Sequence, residues 1–554
     1  MANNLPIAVE ICRRIKELSG DIITVLGGPG VSFCAKEVLS AFPSVDFIIR
    51  GEADISFPRF INSLYSIIGD TQSPTLKSIH YNKIQDFKIE GLVFKSQNSE
   101  FVDTGWPLPV ENLDKLPLPA YDFCPIQNNS NLTYSFGDYN GISIETGRGC
   151  TFDCIFCSTS HFFKRKHRLK SIDRIMKEIV YTRNRWGDQR IIFNHDILTF
   201  HRPYIESLCN EIKACMPDLT WKCHARFDTI DEALLKKMKE AGCNEIFLGI
   251  EAVTPRMQQM LNKRLDLTGF DDLILALKKL NLRFSLSFIV GIPGETVEDI
   301  KELLSYALRT KMLCGSLVVI KIHTLVPLIG STLYSGITQP LEYDEYGSLG
   351  TSDIPLSWKK LRDFIREYPH IFTLYYHFPI GKEKRIDSCK FAMLGTAMDT
   401  ILKNSMKLAY KVLGDKLAET IVNRINEIIL PPAASLKDTR YDLFLESIQK
   451  LVMELLKNEK VWLEKFDTLA KFEIAAERIK KGTYFSNHCI IETFYAPEEI
   501  LEEIEKFIEN DTRVQLMGSK REKQYHFLNW DSEEKQIRCA RVNTSLAKYL
   551  ICNN

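Results

Sequence analysis

From about residue 141 to 327 the chain alternates short apolar runs with amphipathic stretches. The apolar runs predict strands at Ile142 to Glu145, Arg190 to Asp196, Thr220 to Arg226, Glu245 to Glu251, Phe284 to Gly291 and Leu317 to Val326. Between them, apolar residues return at helical spacing, as in Ile172, Ile175, Met176, Ile179 and Val180, with Ser171 as the cap and Asp173 in the first turn. A second helix runs from Asp231 to Ala241 and stops at Gly242, where a left-handed residue costs least. Another opens with Thr296 and Asp299 as a capping box. Strands alternating with helices predict βα units and an α/β fold with a parallel sheet.

The flanks read differently. Residues 1–70 carry a helix from Ile7 to Leu18, a strand from Ile22 to Leu26 ending in Gly27-Gly28-Pro29-Gly30, a further helix, and a strand from Asp46 to Ile49 ending in Arg50-Gly51-Glu52. Residues 71–140 form a connector rich in Pro, Asn and Ser, and Leu116-Pro117-Leu118-Pro119 sets an extended lead into the α/β region at 141–330. Residues 331–554 are mainly helical in pattern, as in Leu402, Met406, Leu408, Ala409 and Val412, and turn strand-like around Ile537 to Val542. This C-terminal extension is expected to dock substrate, act as a lid or buttress the fold.

A chain of 554 residues is long enough for more than one domain. Lys plus Arg equals Asp plus Glu at 71 each, so charge gives no argument for nucleic acid or an acidic membrane. The start, Met1 to Pro6, lacks the basic and long apolar regions of a signal peptide, and no run of about 18 apolar residues follows. A cytoplasmic location is expected, with the cysteines as thiols, ligands and core residues rather than a disulfide framework. The Asn-x-Ser/Thr triplets at Asn128 and Asn131 then carry no glycan.

Cysteine spacing changes the picture most. In Gly147-Arg148-Gly149-Cys150-Thr151-Phe152-Asp153-Cys154-Ile155-Phe156-Cys157, three cysteines stand at i, i+4 and i+7. With 15 cysteines in the chain, independent placement gives about 0.01 matches to that spacing. Three thiolates on a cubane cluster leave one iron open. A structural zinc site would want four ligands, and no second cysteine pair lies nearby, although His161 and His167 are within reach in sequence.

This stretch resembles the radical S-adenosylmethionine (SAM) enzymes, whose mark is Cys-x-x-x-Cys-x-aromatic-Cys, with Phe156 as the aromatic. The resemblance implies a partial (β/α)6 barrel, with Cys150, Cys154 and Cys157 holding a 4Fe-4S cluster. In that family SAM chelates the fourth iron through its amino and carboxylate groups and is cleaved reductively to a 5′-deoxyadenosyl radical. Phe156 is then expected near the adenine. In relatives the end of strand four and the Gly-x-Pro-Gly-Glu turn help hold SAM. Glu251, Gly291, Pro293 and Gly294 match those positions, and Arg226 ends a neighbouring strand at the same opening. His195 beside Asp196 is read as a hydrogen-bonded structural group rather than a proton carrier, and Cys223 and Cys243 as buried small residues. The basic run Lys164, Arg165, Lys166, Arg168 and Lys170 reads as a solvated face, with a substrate anion as the sharper alternative.

Leu26-Gly27-Gly28-Pro29 and Arg50-Gly51-Glu52 resemble the later half of the cobalamin-binding domain that precedes many of these barrels. The family's Asp-x-His-x-x-Gly loop has no counterpart before Ile7. This partial α/β, cobalamin-binding-like segment is expected to pack on the barrel without cobalamin. Cys389, Cys489, Cys539 and Cys552 lack the tight spacing of an additional cluster. The resemblance implies hydrogen abstraction from a substrate C–H bond in natural-product, peptide or cofactor tailoring, a small-molecule or peptide substrate, and an electron donor such as flavodoxin or ferredoxin. The alternatives are a cobalamin-dependent methyltransferase and a non-catalytic iron–sulfur or zinc-binding module.

Overall fold

The computed structural model describes residues 4–68, 88–96, 98–123, 141–187, 190–346, 359–430, 439–480, 488–493, 524–531 and 536–542. Asn128, Asn131 and Cys552 lie outside them, as do the side chains of Cys489 and Cys539. Two compact units divide the chain. One comprises Met1–Gly249, Gln258–Leu282 and Leu325–Ile380; the other comprises Ile250–Met257, Arg283–Thr324 and Gly381–Asn554.

The first unit opens with the helix Leu5–Leu18 and a four-stranded sheet in the order β1 (Val25–Gly27), β2 (Phe47–Ile49), β3 (Leu92–Lys95), β4 (Phe101–Asp103). β1 and β2 run parallel, while β3 and β4 are antiparallel additions. Two of these four strands therefore come from the stretch expected to be a connector. The hairpin adds Phe94 to Phe47 and Phe60 in a buried aromatic group, with Phe47 and Phe94 rings 5.5 Å apart. That burial is what makes a pattern too short for an independent domain into a packed layer.

The strands expected from alternation are β5 (Ile142–Glu145), β8 (Ile191–Asn194), β9 (Trp221–Arg226), β10 (Cys243–Glu251), β11 (Arg283–Val290) and β12 (Val318–Thr324). Between β5 and β8 lie two two-residue strands, β6 (Gly147–Arg148) and β7 (Arg168–Leu169). The six longer strands form one sheet in the order β12-β11-β10-β9-β8-β5, each next to its chain neighbour in that series. The pairs β5–β8, β8–β9, β9–β10 and β11–β12 are parallel, as βα units require. β11 is buried along most of its length, the mark of a strand covered on both faces. The helix starts are where side chains satisfy them: Ser171 accepts from Arg174 N, Asp231 from Leu234 N, and Thr296 with Asp299 makes the expected capping box.

β13 (Glu342–Tyr343) and β14 (Tyr376–His377) pair in the first unit. In the second unit the helix Lys382–Thr400 crosses β12, with Gly395 close against Ile322. Asp399 pairs with the buried Lys311 at 2.5 Å, and Arg385 donates to Thr324 Oγ1 at 3.1 Å. This part of the C-terminal extension thus buttresses a barrel strand. Further helices follow, then an antiparallel sheet of β15 (His488–Thr493), β16 (Gln524–Asp531) and β17 (Gln536–Val542). Among the described residues no helix is long and apolar enough to cross a membrane.

Candidate active site

The cysteines occupy a long excursion from the end of β5. Gly147 pairs with Leu169 and Arg148 with Arg168, so β6 and β7 close a loop over 149–167. Gly149 has φ +91°, and a Cβ there would stand 2.0 Å from the Lys166 carbonyl. At Gly147 a Cβ would meet Arg168 O at 2.3 Å and the His195 ring at 2.7 Å. No side chain fits either position, which explains both glycines of the motif. Backbone contacts hold the rest: Ile155 N donates to Leu261 O at 3.0 Å, Leu333 N to Ile155 O at 2.8 Å, and Asn262 Nδ2 to Asp153 O at 2.7 Å. Gly149 N donates to Asp196 Oδ2 at 3.2 Å, tying the loop to the end of β8.

Cys150, Cys154 and Cys157 are half-buried thiols outside any disulfide. Burial pushes the Cys150 thiol up to about 11, and Asp196, Cys157 and Cys154 add to the rise. Three cysteines close enough to oppose one another's ionisation are a site that a cation would stabilise, since metal ligation demands thiolates. Among the described residues no three His, Cys, Asp or Glu side chains are arranged to hold one metal ion. A cubane asks for a different arrangement, because each cysteine binds its own iron and the sulfurs stand apart by the size of the cluster. Three cysteine thiols on one loop are the donor set of a cluster with one open iron, whereas a structural zinc wants four ligands.

Arg226 is 5% exposed at the end of β9. Its guanidinium carbon lies 3.9 Å from the Phe152 ring centroid, Nε donates to Asp228 Oδ1 at 2.8 Å, and Nη2 donates to Lys263 O. Its hydrogen bonds go to the protein, and its flat face supports a ring between the first two cysteines. Phe156 is half-buried in the loop. His195 is buried, and its Nδ1 accepts from Ile197 N at 2.8 Å. Burial, with His167 and His224 adding, holds its imidazole down to about 3, so it stays neutral near neutral pH. The basic run is not a solvated face throughout. Arg168 and Lys170 are buried in ion pairs with Glu52 and Glu178, Arg165 pairs with Asp153, and Lys164 donates to Pro107 O. Cys223 and Cys243 are buried as expected.

In the second unit, Glu251 closes β10 with φ +65°, and Ala252 N donates back to Ile250 O at 2.9 Å. That is a γ-turn of the rare, positive-φ kind, a strain that proteins keep at functional positions. Ser287 Oγ donates to Glu251 Oε2 at 3.4 Å, and Glu251 raises the affinity of His323 for a proton while burial lowers it. His323, near the end of β12, was not singled out from sequence; a histidine near a barrel strand's C-terminal end is the signal that could have found it.

After β11, Gly291 and Gly294 both take positive φ, +78° and +84°. The Glu295 carboxylate folds back to accept from Gly291 N at 2.8 Å, and Arg256 binds Gly294 O at 3.2 Å and Asp299, fastening the turn to the segment after β10. Burial pushes Glu295 up to about 7, against the pull of the Gly291 and Ile292 amides. The folded chain then holds that proton more tightly than the unfolded chain, whose carboxyl sits near 4.5, so stability falls as pH rises from about 4.5 to 7. Glu295→Gln is expected to flatten that slope in thermal midpoints taken across the window; an unchanged slope would place the titration elsewhere.

Comparison with known proteins agrees with this architecture. Residues 144–307 match the family model of the radical SAM superfamily. The chain is 28% identical over 300 residues to an uncharacterized methyltransferase of Pyrococcus horikoshii, covering 54% of this chain and 61% of that one. It is 24% identical over 330 residues to the cytidylyl-2-hydroxyethylphosphonate methyltransferase of Streptomyces wedmorensis, covering 56% and 60%. The chain thus spans about three fifths of the length of these relatives. A radical SAM methyltransferase of Kitasatospora setae, solved with cobalamin and a 4Fe-4S cluster, overlays with a TM-score of 0.45 at 14% identity, covering 63% of each chain. The matched residues span the cysteine loop and most of the parallel sheet, so residues 144–307 form a domain of the radical SAM kind.

Proposed function

We propose that this chain abstracts hydrogen from a substrate C–H bond, with Cys150, Cys154 and Cys157 as the cluster ligands. The observation that carries the reading is the loop itself: three half-buried thiols, closed by β6 and β7, in the place the family model covers. When bound, the cluster supplies the electron that splits SAM into methionine and a 5′-deoxyadenosyl radical. The protein's part is to bind and orient. Phe156 offers its ring to the adenine, while Arg226 serves the cofactor by holding Phe152 in the loop. Glu251, Gly291, Pro293 and Gly294 are the proposed contacts to SAM's ribose and methionine parts, the strained strand end supplying a carboxylate and the turn supplying backbone. A small-molecule or peptide substrate, a flavodoxin- or ferredoxin-like electron donor and a cytoplasmic location go with this reading. Part of the stretch 331–554 serves substrate docking in this reading.

Methyl transfer is the second reading, favoured by the names of the relatives. Residues 1–70 contain no histidine to offer a cobalt, so they do not fit histidine-ligated cobalamin. Analysis of spent SAM separates the readings, because S-adenosylhomocysteine beside a methylated product would mark methyl transfer. Phe156→Ala is expected to raise the dissociation constant for SAM by about tenfold, the loss of roughly one aromatic contact, while leaving the cluster's absorbance intact. Titration of SAM against the reduced cluster's electron paramagnetic resonance signal checks it. Loss of the iron in that variant would make Phe156 structural instead.

A further inference from the structure

The N-terminal segment meets the cysteine loop through charge. Arg148 and Arg168 face each other across the two-residue ribbon that closes the loop. Both guanidinium groups reach one carboxylate, that of Glu52 in the Arg50-Gly51-Glu52 turn after β2. Arg168 grips it with Nη2 at 2.5 Å from Oε1 and Nη1 at 3.1 Å from Oε2, and Arg148 Nη1 lies 3.0 Å from Oε2. The Glu52 and Arg168 side chains are 4% and 8% exposed, so this is not a solvated surface pair. Arg148 is held further by Asp54 at 2.7 Å and by Glu145 at 2.9 Å.

A second contact supports the first. The Trp106 ring lies 5.0 Å from Phe33 and 6.2 Å from Phe162, and Phe162 ends the short helix that follows Cys157. Both Phe33 and Trp106 belong to the N-terminal segment and its hairpin, so the same layer touches the loop at its base and again at Phe162.

A ribbon of two residues per strand contributes few backbone hydrogen bonds to hold the ends of so long a loop. A two-pronged Arg–carboxylate bond shielded from water fixes direction as well as distance. Sharing the carboxylate transmits that constraint to Arg148, two residues before Cys150. We propose that Glu52 is a positioning residue for the metal-binding loop, clamping both of its ends, so that the N-terminal α/β segment is part of the cluster site. This rests on the cluster reading above.

The test uses the full chain as wild type, Glu52→Gln and Asp399→Asn. The last breaks the buried Asp399–Lys311 pair in the other unit and controls for general loss of stability. Each is reconstituted with iron and sulfide without oxygen, and the loss of cluster absorbance to a chelator is timed. The apo chains are digested briefly with trypsin, whose exposed sites Lys164, Arg165 and Lys166 lie inside the loop. Glu52→Gln is expected to lose iron about tenfold faster than wild type, the size typical of groups that orient metal ligands. It is also expected to be cut in the loop faster, with Asp399→Asn matching wild type on both counts. If Glu52→Gln does not fold, Arg148→Lys, which keeps the charge and loses the fork, is read the same way. Wild-type rates in the loop variants, or equal acceleration in Asp399→Asn, would overturn the clamp. A wild type that takes up no cluster would contradict the functional reading, and the trypsin comparison would still decide the clamp.

Discussion

Cys154→Ala is expected to yield a folded chain with no intact 4Fe-4S cluster and no SAM cleavage. The residue sits half-buried in a loop whose hold comes from elsewhere, namely the Ile155 backbone bonds, the Asn262 amide on Asp153 O, and the glycines at its base. Removing one sulfur therefore costs the fold little. It removes one of three protein ligands, so the functional loss should exceed the 10–100-fold typical of groups that only orient ligands. Iron and sulfide analysis, with 5′-deoxyadenosine followed by chromatography, checks both halves. A variant with wild-type iron content and full turnover would make the cysteine an ordinary loop thiol.

Gly149→Ala is expected to show the largest effect of any single methyl group added to the described site. The new Cβ would stand 2.0 Å from Lys166 O, and φ at this position is +91°. About 1–3 kcal/mol for left-handed backbone and about 1–3 kcal/mol for forced displacement of the packed backbone at Lys166 are expected to add in unfolding of the apo chain, with loss of cluster uptake. Gly187→Ala is the comparison: its φ is +77° and nothing lies within 4 Å of the new Cβ, so the backbone cost stands alone. Equal loss in the two variants would mean that the close approach at the loop's base carries no weight.

What could be read from sequence was local. The strand ends near Glu145, Arg226, Glu251 and Val290, the Asp231 cap and the Thr296–Asp299 box all follow from spacing within one element and its neighbour. What could not be read depends on distant partners. Arg168 looks like part of a solvated basic run until Glu52 arrives, 116 positions away. Arg226 is placed by its strand, but that its guanidinium lies over Phe152 depends on the path of the cysteine loop. The hairpin of β3 and β4 hides in a Pro-rich connector because its strands are short and its reason to exist is the exposed edge of β2. Positive φ at Glu251 is likewise invisible to pattern, since Glu carries no propensity for it.

The most direct test of the central claim is formation of 5′-deoxyadenosine from SAM by the full chain, reconstituted and reduced without oxygen, with Cys154→Ala alongside. The account predicts 5′-deoxyadenosine from the wild type and none above background from the variant. An intact wild-type cluster that binds no SAM and releases no 5′-deoxyadenosine would contradict it, leaving Cys150, Cys154 and Cys157 as anchors of a structural metal site.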